Sequence, residues 1–233
     1  AALWQTIAEH GAAVAHVLAD IMTKTGGLSD GFTAVLDNSA RWHDIGKAHP
    51  AFASLITPDA AHPAGEIAKA PPNAWPSGRP KYGIKKGTEF DARPGFRHEL
   101  ASALALFDLL RQMNPKHEAL LGPWLELLPQ SGPLPTDGNS SQVQHALNAL
   151  EAESFNLLLY LVAAHHGKVR TGFQATPSDQ DHPVSREGDA MPIRGVMEGD
   201  VVRGVNMVEG AFSPQSLFKG LRRQRVGDQH AVS

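Results

Sequence analysis

The chain has 233 residues, 42% of them hydrophobic, enough to bury a substantial core as one large domain or two small ones. A formal net charge of −3 excludes a generally basic, polyanion-coating protein, so any nucleic-acid contact has to use a local patch. The absence of cysteine excludes disulfides, thiolate catalysis and thiolate metal sites, and leaves His, Asp and Glu as the metal-ligating side chains.

One helical domain is the starting expectation, and the lack of cysteine suits a cytoplasmic protein. The N-terminus has no basic segment followed by an apolar run, so it does not read as a signal peptide. The longest apolar run, 157–164, falls well short of the ~20 residues a membrane-spanning helix needs. A soluble protein without a membrane partner is expected.

In chain order, Leu3, Ile7, His10, Val14, Val17 and Ile21 recur at steps of four and three and share one stripe of a first helix, which Gly26-Gly27 ends. A second helix is predicted over about 32–45. Residues 57–94 are dense in Pro and Gly and read as loop. A third helix is predicted over about 97–113, with Leu100, Leu104, Phe107 and Leu110 on its apolar face and Pro115 near its end. A fourth piece covers 118–128 and a Pro/Gly/Ser loop covers 129–141. Two more helices are predicted over 143–152 and 154–166. Leu157, Leu158, Leu159, Leu161 and Val162 cover most of the last one's circumference, which predicts a central, buried helix. From 171 to 210 the pattern fits loops with a short hairpin, and Ser213-Pro214 could start a brief helix through 225. There is no internal repeat and no phosphate-binding Gly-x-x-x-x-Gly-Lys-Ser/Thr loop, hence no ATPase motor in this chain.

Three signals carry chemistry. The first is His43-Asp44-Ile45-Gly46-Lys47 at the end of an apolar helix, where Gly46 is expected as a left-handed C-cap that leaves two ligand-type side chains at the helix end. Among twelve histidines a lone His-Asp pair can arise by chance. The second is His165-His166-Gly167-Lys168, closing the most apolar helix; the competing reading is imidazolium at the negative end of the helix dipole, which needs only one exposed histidine. The third is His10, which stands where the stripe calls for an apolar residue, whereas His16 lies off it. A core histidine bonded to a carbonyl is the alternative for His10 taken alone. His98-Glu99 opens the third helix, but its angular position is nearly opposite Leu100, Phe107 and Leu110, so periodicity does not turn it inward. Arg97 beside it is a candidate phosphate contact. His49, His62, His117, His145, His182 and His230 receive no role.

The order of these signals resembles a family. An inward His10, then His43-Asp44-x-Gly-Lys, Arg97-His98-Glu99 and His165-His166-Gly167 look like the HD nuclease domain of the type I CRISPR helicase-nuclease. The strings HDIGKAHPAF, RHELASALAL and AAHHGKVR carry the likeness, which spans roughly 3–170. It implies an all-α, compact HD-domain helical bundle with long Pro/Gly-rich loops, a single domain over 1–233 with its helical core at about 3–170 and a loop-rich tail over 171–233. It further implies one or two divalent metal ions (Mn, Fe, Co, Ni or Mg), with His10, His43 and Asp44 on one, Asp44 bridging, and His98, His165 and His166 on the other. The family closes the first metal with an aspartate on a late apolar helix. This sequence departs there, with Asp200 and Asp228 the nearest candidates.

The activity implied is hydrolysis of single-stranded DNA by a metal-activated water, with His43, Asp44 and Lys47 at the reaction centre. Lys47, Lys168 and Arg170 are the expected phosphate contacts, against the ordinary reading of solvated charge, which also applies to Arg222, Arg223 and Arg225. The expected partners are single-stranded DNA, the helicase domain or subunit of the same system, and the crRNA-guided surveillance complex. Two alternatives stand beside the nuclease: a catalytically weak module that docks on the surveillance complex, and an HD phosphohydrolase acting on nucleotides.

Overall fold

The computed structural model describes residues 3–59, 61–78, 80–121, 141–167 and 193–217. Lys168, Arg170, Asp228 and the arginines at 222, 223 and 225 lie outside the described residues, as do most of the loop expected at 129–141 and the end of the fourth predicted helix.

Helices dominate, but the all-α expectation needs correction. Helices α1 (Ile7–Lys24), α2 (Asp30–Trp42), α3 (Pro50–Ala53), α4 (His98–Met113), α5 (Glu118–Leu121), α6 (Gln142–Asn148) and α7 (Ala152–Ala164) are joined by eight short strands. Among the described residues these pair into four two-stranded antiparallel sheets. Strand β1 (Gln5–Thr6) pairs with β2 (Ile67–Lys69), and β3 (Gly83–Lys86) with β4 (Glu89–Ala92). Strand β5 (Val201–Val202) pairs with β8 (Gln215–Ser216), and β6 (Val205–Met207) with β7 (Gly210–Phe212).

The segment 57–94, read from sequence as loop, therefore holds a strand and a hairpin. The missed signal is Gly87-Thr88 between two four-residue strands: Gly87 sits at φ +63°, as the first central position of a two-residue hairpin turn of the II′ kind requires. The hairpin expected in the tail is β6–β7. Ser213-Pro214, expected to start a helix, instead leads into β8.

Helix α1 starts where a capping box closes it, with Thr6 Oγ1 accepting from the Glu9 amide and Glu9 accepting from the Thr6 amide at 2.8 Å. Its apolar stripe is buried only in its first half. Ile7, His10, Gly11 and Ala15 are buried, whereas Leu3, Val17 and Ile21 are 77%, 57% and 53% exposed. Periodicity identifies the face of a helix but not how far a partner runs alongside it.

The central helix is α4, not α7. Ten of the sixteen residues of α4 are buried, including Leu100, Leu106, Leu109 and Leu110. On α7 Phe155, Leu158 and Val162 are fully buried, and Tyr160 is 49% exposed. The main apolar core also takes in Val196, Val202, Val205, Met207, Phe212 and Leu217. The last described helix ends at Ala164, and the tail strands add side chains that close the apolar core beyond it.

Candidate metal centre

Two glycines let the ligand-bearing elements meet. A Cβ at Gly11, next to His10, would lie 2.3 Å from the Arg41 carbonyl oxygen, so α1 and α2 touch backbone to backbone beside His10 and His43. A Cβ at Gly46 would lie 2.1 Å from the His98 carbonyl oxygen and 2.5 Å from the Ser102 amide. Gly46 is not the left-handed C-cap expected from sequence. It sits in a short 3₁₀ turn (Ile45–Ala48) and is needed for close approach to α4, where its amide donates to Ser102 Oγ at 2.7 Å. Gly167 does take a left-handed conformation, at φ +69° after α7.

This approach brings all six sequence-predicted ligands together around Asp44, which is 1% exposed. Its two oxygens face different partners. Oδ2 lies 3.5 Å from His10 Nε2, 3.3 Å from His43 Nε2 and 2.7 Å from Lys47 Nζ. Oδ1 lies 3.3 Å from His98 Nε2 and 3.7 Å from His165 Nε2, and His166 Nε2 stands 3.2 Å from His98 Nε2. The donor atoms therefore form two groups able to hold an ion, His10/His43/Asp44 and His98/His165/His166, with Asp44 between them.

His98 was turned away by the periodicity argument, and the structure corrects this. It is the first residue of α4, and from a helix end a side chain can reach across the bundle whatever its angular position. Because α4 is buried nearly all round, the face opposite Leu100 is not a solvent face.

Second contacts orient the rings. His43 Nδ1 faces the Ala40 carbonyl at 2.8 Å and His165 Nδ1 faces the Val162 carbonyl at 2.7 Å, the same three-residue return at the ends of α2 and α7. A carbonyl only accepts, so each Nδ1 carries a proton, and each Nε2 is turned toward Asp44. His98 Nδ1 has the Glu99 carboxylate 3.5 Å away, and Glu99 also accepts from Arg97 at 3.0 Å. Glu99, 6% exposed, is a residue that sequence reasoning left without a role. Its burial would raise its pKa, but the His98 and Arg97 charges overcome this and lower it.

Burial lowers His10 and His165 to about 4, so both are neutral near neutral pH. Burial alone would raise Asp44, but its contacts with His43 and His98 and the Lys47 charge hold it far below the usual carboxylate range. An ionised carboxylate thus meets the neutral imidazoles of His10 and His165. Asp44 Oδ1 and His165 Nε2 are buried without a hydrogen-bond partner, 3.7 Å apart, and two acceptors left facing each other fit a cation between them. Ligands each ~2.1 Å from one metal stand roughly 3.0–3.4 Å apart, close to the spacings found here. The donor set fits a divalent metal.

Asp200 is not placed as a ligand. Arg93 grips both its oxygens at 2.5 and 2.9 Å, and the Met197 amide and His49 Nε2 approach Oδ2 at 2.8 and 3.1 Å. His49 is fully buried, its Nδ1 accepting from the Ala51 amide as the N-cap of α3. This buried clamp fastens the tail to the turn that carries Lys47. The His49-Pro50 pair, a capping side chain before Pro at the first helical position, signals the start of α3 but not the contact with Asp200.

A family model of the Cas3 HD domain matches residues 1–219. The chain belongs to the Cas3 HD domain family. That makes this Cas3 HD domain a hydrolase, with a metal-dependent nuclease role in CRISPR systems. Comparison with curated proteins and with solved structures returns no match. Among the described residues no helix of the Cas3 HD domain is long and apolar enough to cross a membrane.

Proposed function

We propose that this Cas3 HD domain hydrolyses phosphodiesters of single-stranded DNA during CRISPR interference, as a cytoplasmic protein working with the helicase domain or subunit of its system and with the crRNA-guided surveillance complex. The observation that carries the reading is the two-sided Asp44, with imidazole nitrogens converging on each oxygen. Divalent cations bound there supply an activated water at neutral pH and charge stabilisation for the leaving oxygen. His10, His43 and Asp44 would hold one ion, and His98, His165, His166 and the other Asp44 oxygen a second.

The chain's own groups set up the rest. Ala40 and Val162 lock the tautomers of His43 and His165, Glu99 backs His98, and Lys47 offsets the Asp44 charge, so the centre does not repel an anionic strand. His166 is exposed while His10, His43 and Asp44 are buried, so a strand reaches the centre from the His166 side. Lys168 and Arg170, outside the described residues, are proposed as phosphate contacts. We read 1–233 as one domain, since residues from Ile7 to Leu217 share one core.

The test is cleavage of circular single-stranded DNA by the metal-stripped protein after each of Mn, Fe, Co, Ni and Mg is added back. Cutting that depends on metal and is abolished by Asp44→Ala is the expected result, and a folded protein that cuts with no metal sinks the reading. Free nucleotides form a parallel arm, whose exclusive turnover would favour a nucleotide phosphohydrolase. The engagement of Asp200 by Arg93 favours one second reading, a weakly catalytic recruitment module, which predicts normal partner binding without cleavage.

A further inference from the structure

The two halves of the centre stand in opposite electrostatic surroundings. On the His10/His43 side, Asp44 Oδ2 already carries the Lys47 ammonium at 2.7 Å, and the charge of Lys69 also bears on His10. Lys47 is held there. It donates to the Ala68 carbonyl at 3.2 Å, its Nζ lies 5.7 Å from the centre of the Phe52 ring, and its side chain is 12% exposed. It is therefore not the solvated lysine that the sequence allowed.

On the His98/His165/His166 side there is the reverse. Asp44 Oδ1 and His165 Nε2 lack hydrogen-bond partners, and the buried Glu99 carboxylate backs His98. A cation gains more where acceptors are unsatisfied and a carboxylate stands behind them than where an ammonium already sits on the shared oxygen.

We propose that the two halves bind divalent cations unequally: the His98/His165/His166 half is the high-affinity site, and Lys47 is a built-in counter-cation that holds the His10/His43 half at low affinity. This rests on the metal-centre reading above and adds to it an order of filling. The first ion enters beside Oδ1 without disturbing Lys47. The second has to displace the ammonium from Oδ2 or share the oxygen with it, so the second half fills only at higher metal concentration.

The experiment is a titration of the metal-stripped full chain with Co(II) alone, followed by calorimetry and visible absorption. The wild-type protein should show either one step or two steps at least about tenfold apart in affinity. His166→Ala should remove or weaken the tight step, and His10→Ala should leave it in place. Lys47→Met should tighten the weak step about tenfold or more, whereas Lys47→Arg, which keeps the charge, should leave the gap. Two equal steps in the wild type, a tight step lost in His10→Ala but kept in His166→Ala, or a Lys47→Met titration that leaves the weak step unmoved would each overturn the proposal. If Lys47→Met does not fold, the wild type with the two histidine variants still decides the order of filling. Ordered metal binding without DNA cleavage would remove the nuclease reading alone; absence of any metal binding in folded protein would remove both.

Discussion

Asp44 presents one oxygen to His10, His43 and Lys47 and the other to His98 and His165, so a single side chain joins both halves of the centre. Asp200, by contrast, has its lone pairs spent on Arg93, His49 and the Met197 amide. The two aspartates therefore separate cleanly in experiment. Asp200→Asn takes one of two carboxylates from the buried Arg93 guanidinium, which keeps Asp91, at a cost of about 1–3 kcal/mol. The expected outcome is a lower urea midpoint with the number of bound metal ions unchanged. A loss of bound metal at unchanged stability would instead make Asp200 a ligand. His10, His43, Asp44, His165 and His166 were legible in the sequence because their spacing on apolar helices, or at the ends of them, is local information, whereas His98 was legible only through the family resemblance. Glu99, and the clamp joining His49 to Asp200, were not, since their partners are separated along the chain or distinguished only by burial.

At the scale of elements, ligand geometry depends on backbones in contact, α1 against α2 at Gly11 and the 3₁₀ turn against α4 at Gly46. Gly46→Ala would put a methyl group 2.1 Å from a carbonyl oxygen that cannot swing aside as a flexible side chain would. The start of α4 has to move, at a cost of about 1–3 kcal/mol. Because His98 is the first residue of that helix, the displacement also pulls Nε2 from Asp44. A melting curve and a metal titration of Gly46→Ala should both fall, and an unchanged titration would mean that His98 tolerates the shift. The helices themselves were predicted to within a few residues for α4 and α7. Their ranking was not, because a uniformly apolar circumference on α7 says less about centrality than the contacts α4 makes with both the 3₁₀ turn and α7.

For the whole molecule, acid should unfold the metal-free protein in two windows. His10 and His165 are held at about 4 when folded, below their ordinary value of 6.5, so the unfolded chain takes up protons first. Their share of stability is complete above 6.5 and is lost as the pH falls from there to about 4. For Asp200, burial alone would raise the pKa, but His49 and Arg93 overcome this and lower it, so its contribution is lost only below the ordinary carboxylate value of 3.8. Urea midpoints of metal-stripped protein at pH 7, 5.5 and 4.5 should decline, and a flat series would show that the two histidines are not neutral in the folded state. By itself the sequence determined the main helices, the residue types able to bind metal and, with the family resemblance supplying His98, the six candidate ligands, since periodicity, capping and motif spacing are properties of neighbours along the chain. The tertiary structure decided how they meet: His98 reaches inward from the start of α4, Asp44 turns its oxygens to different partners, Lys47 packs onto Oδ2 and Asp200 is a clamp. Each of those depends on groups distant in sequence meeting in a buried, weakly screened space, where a few tenths of an ångström determine whether a charge is paired.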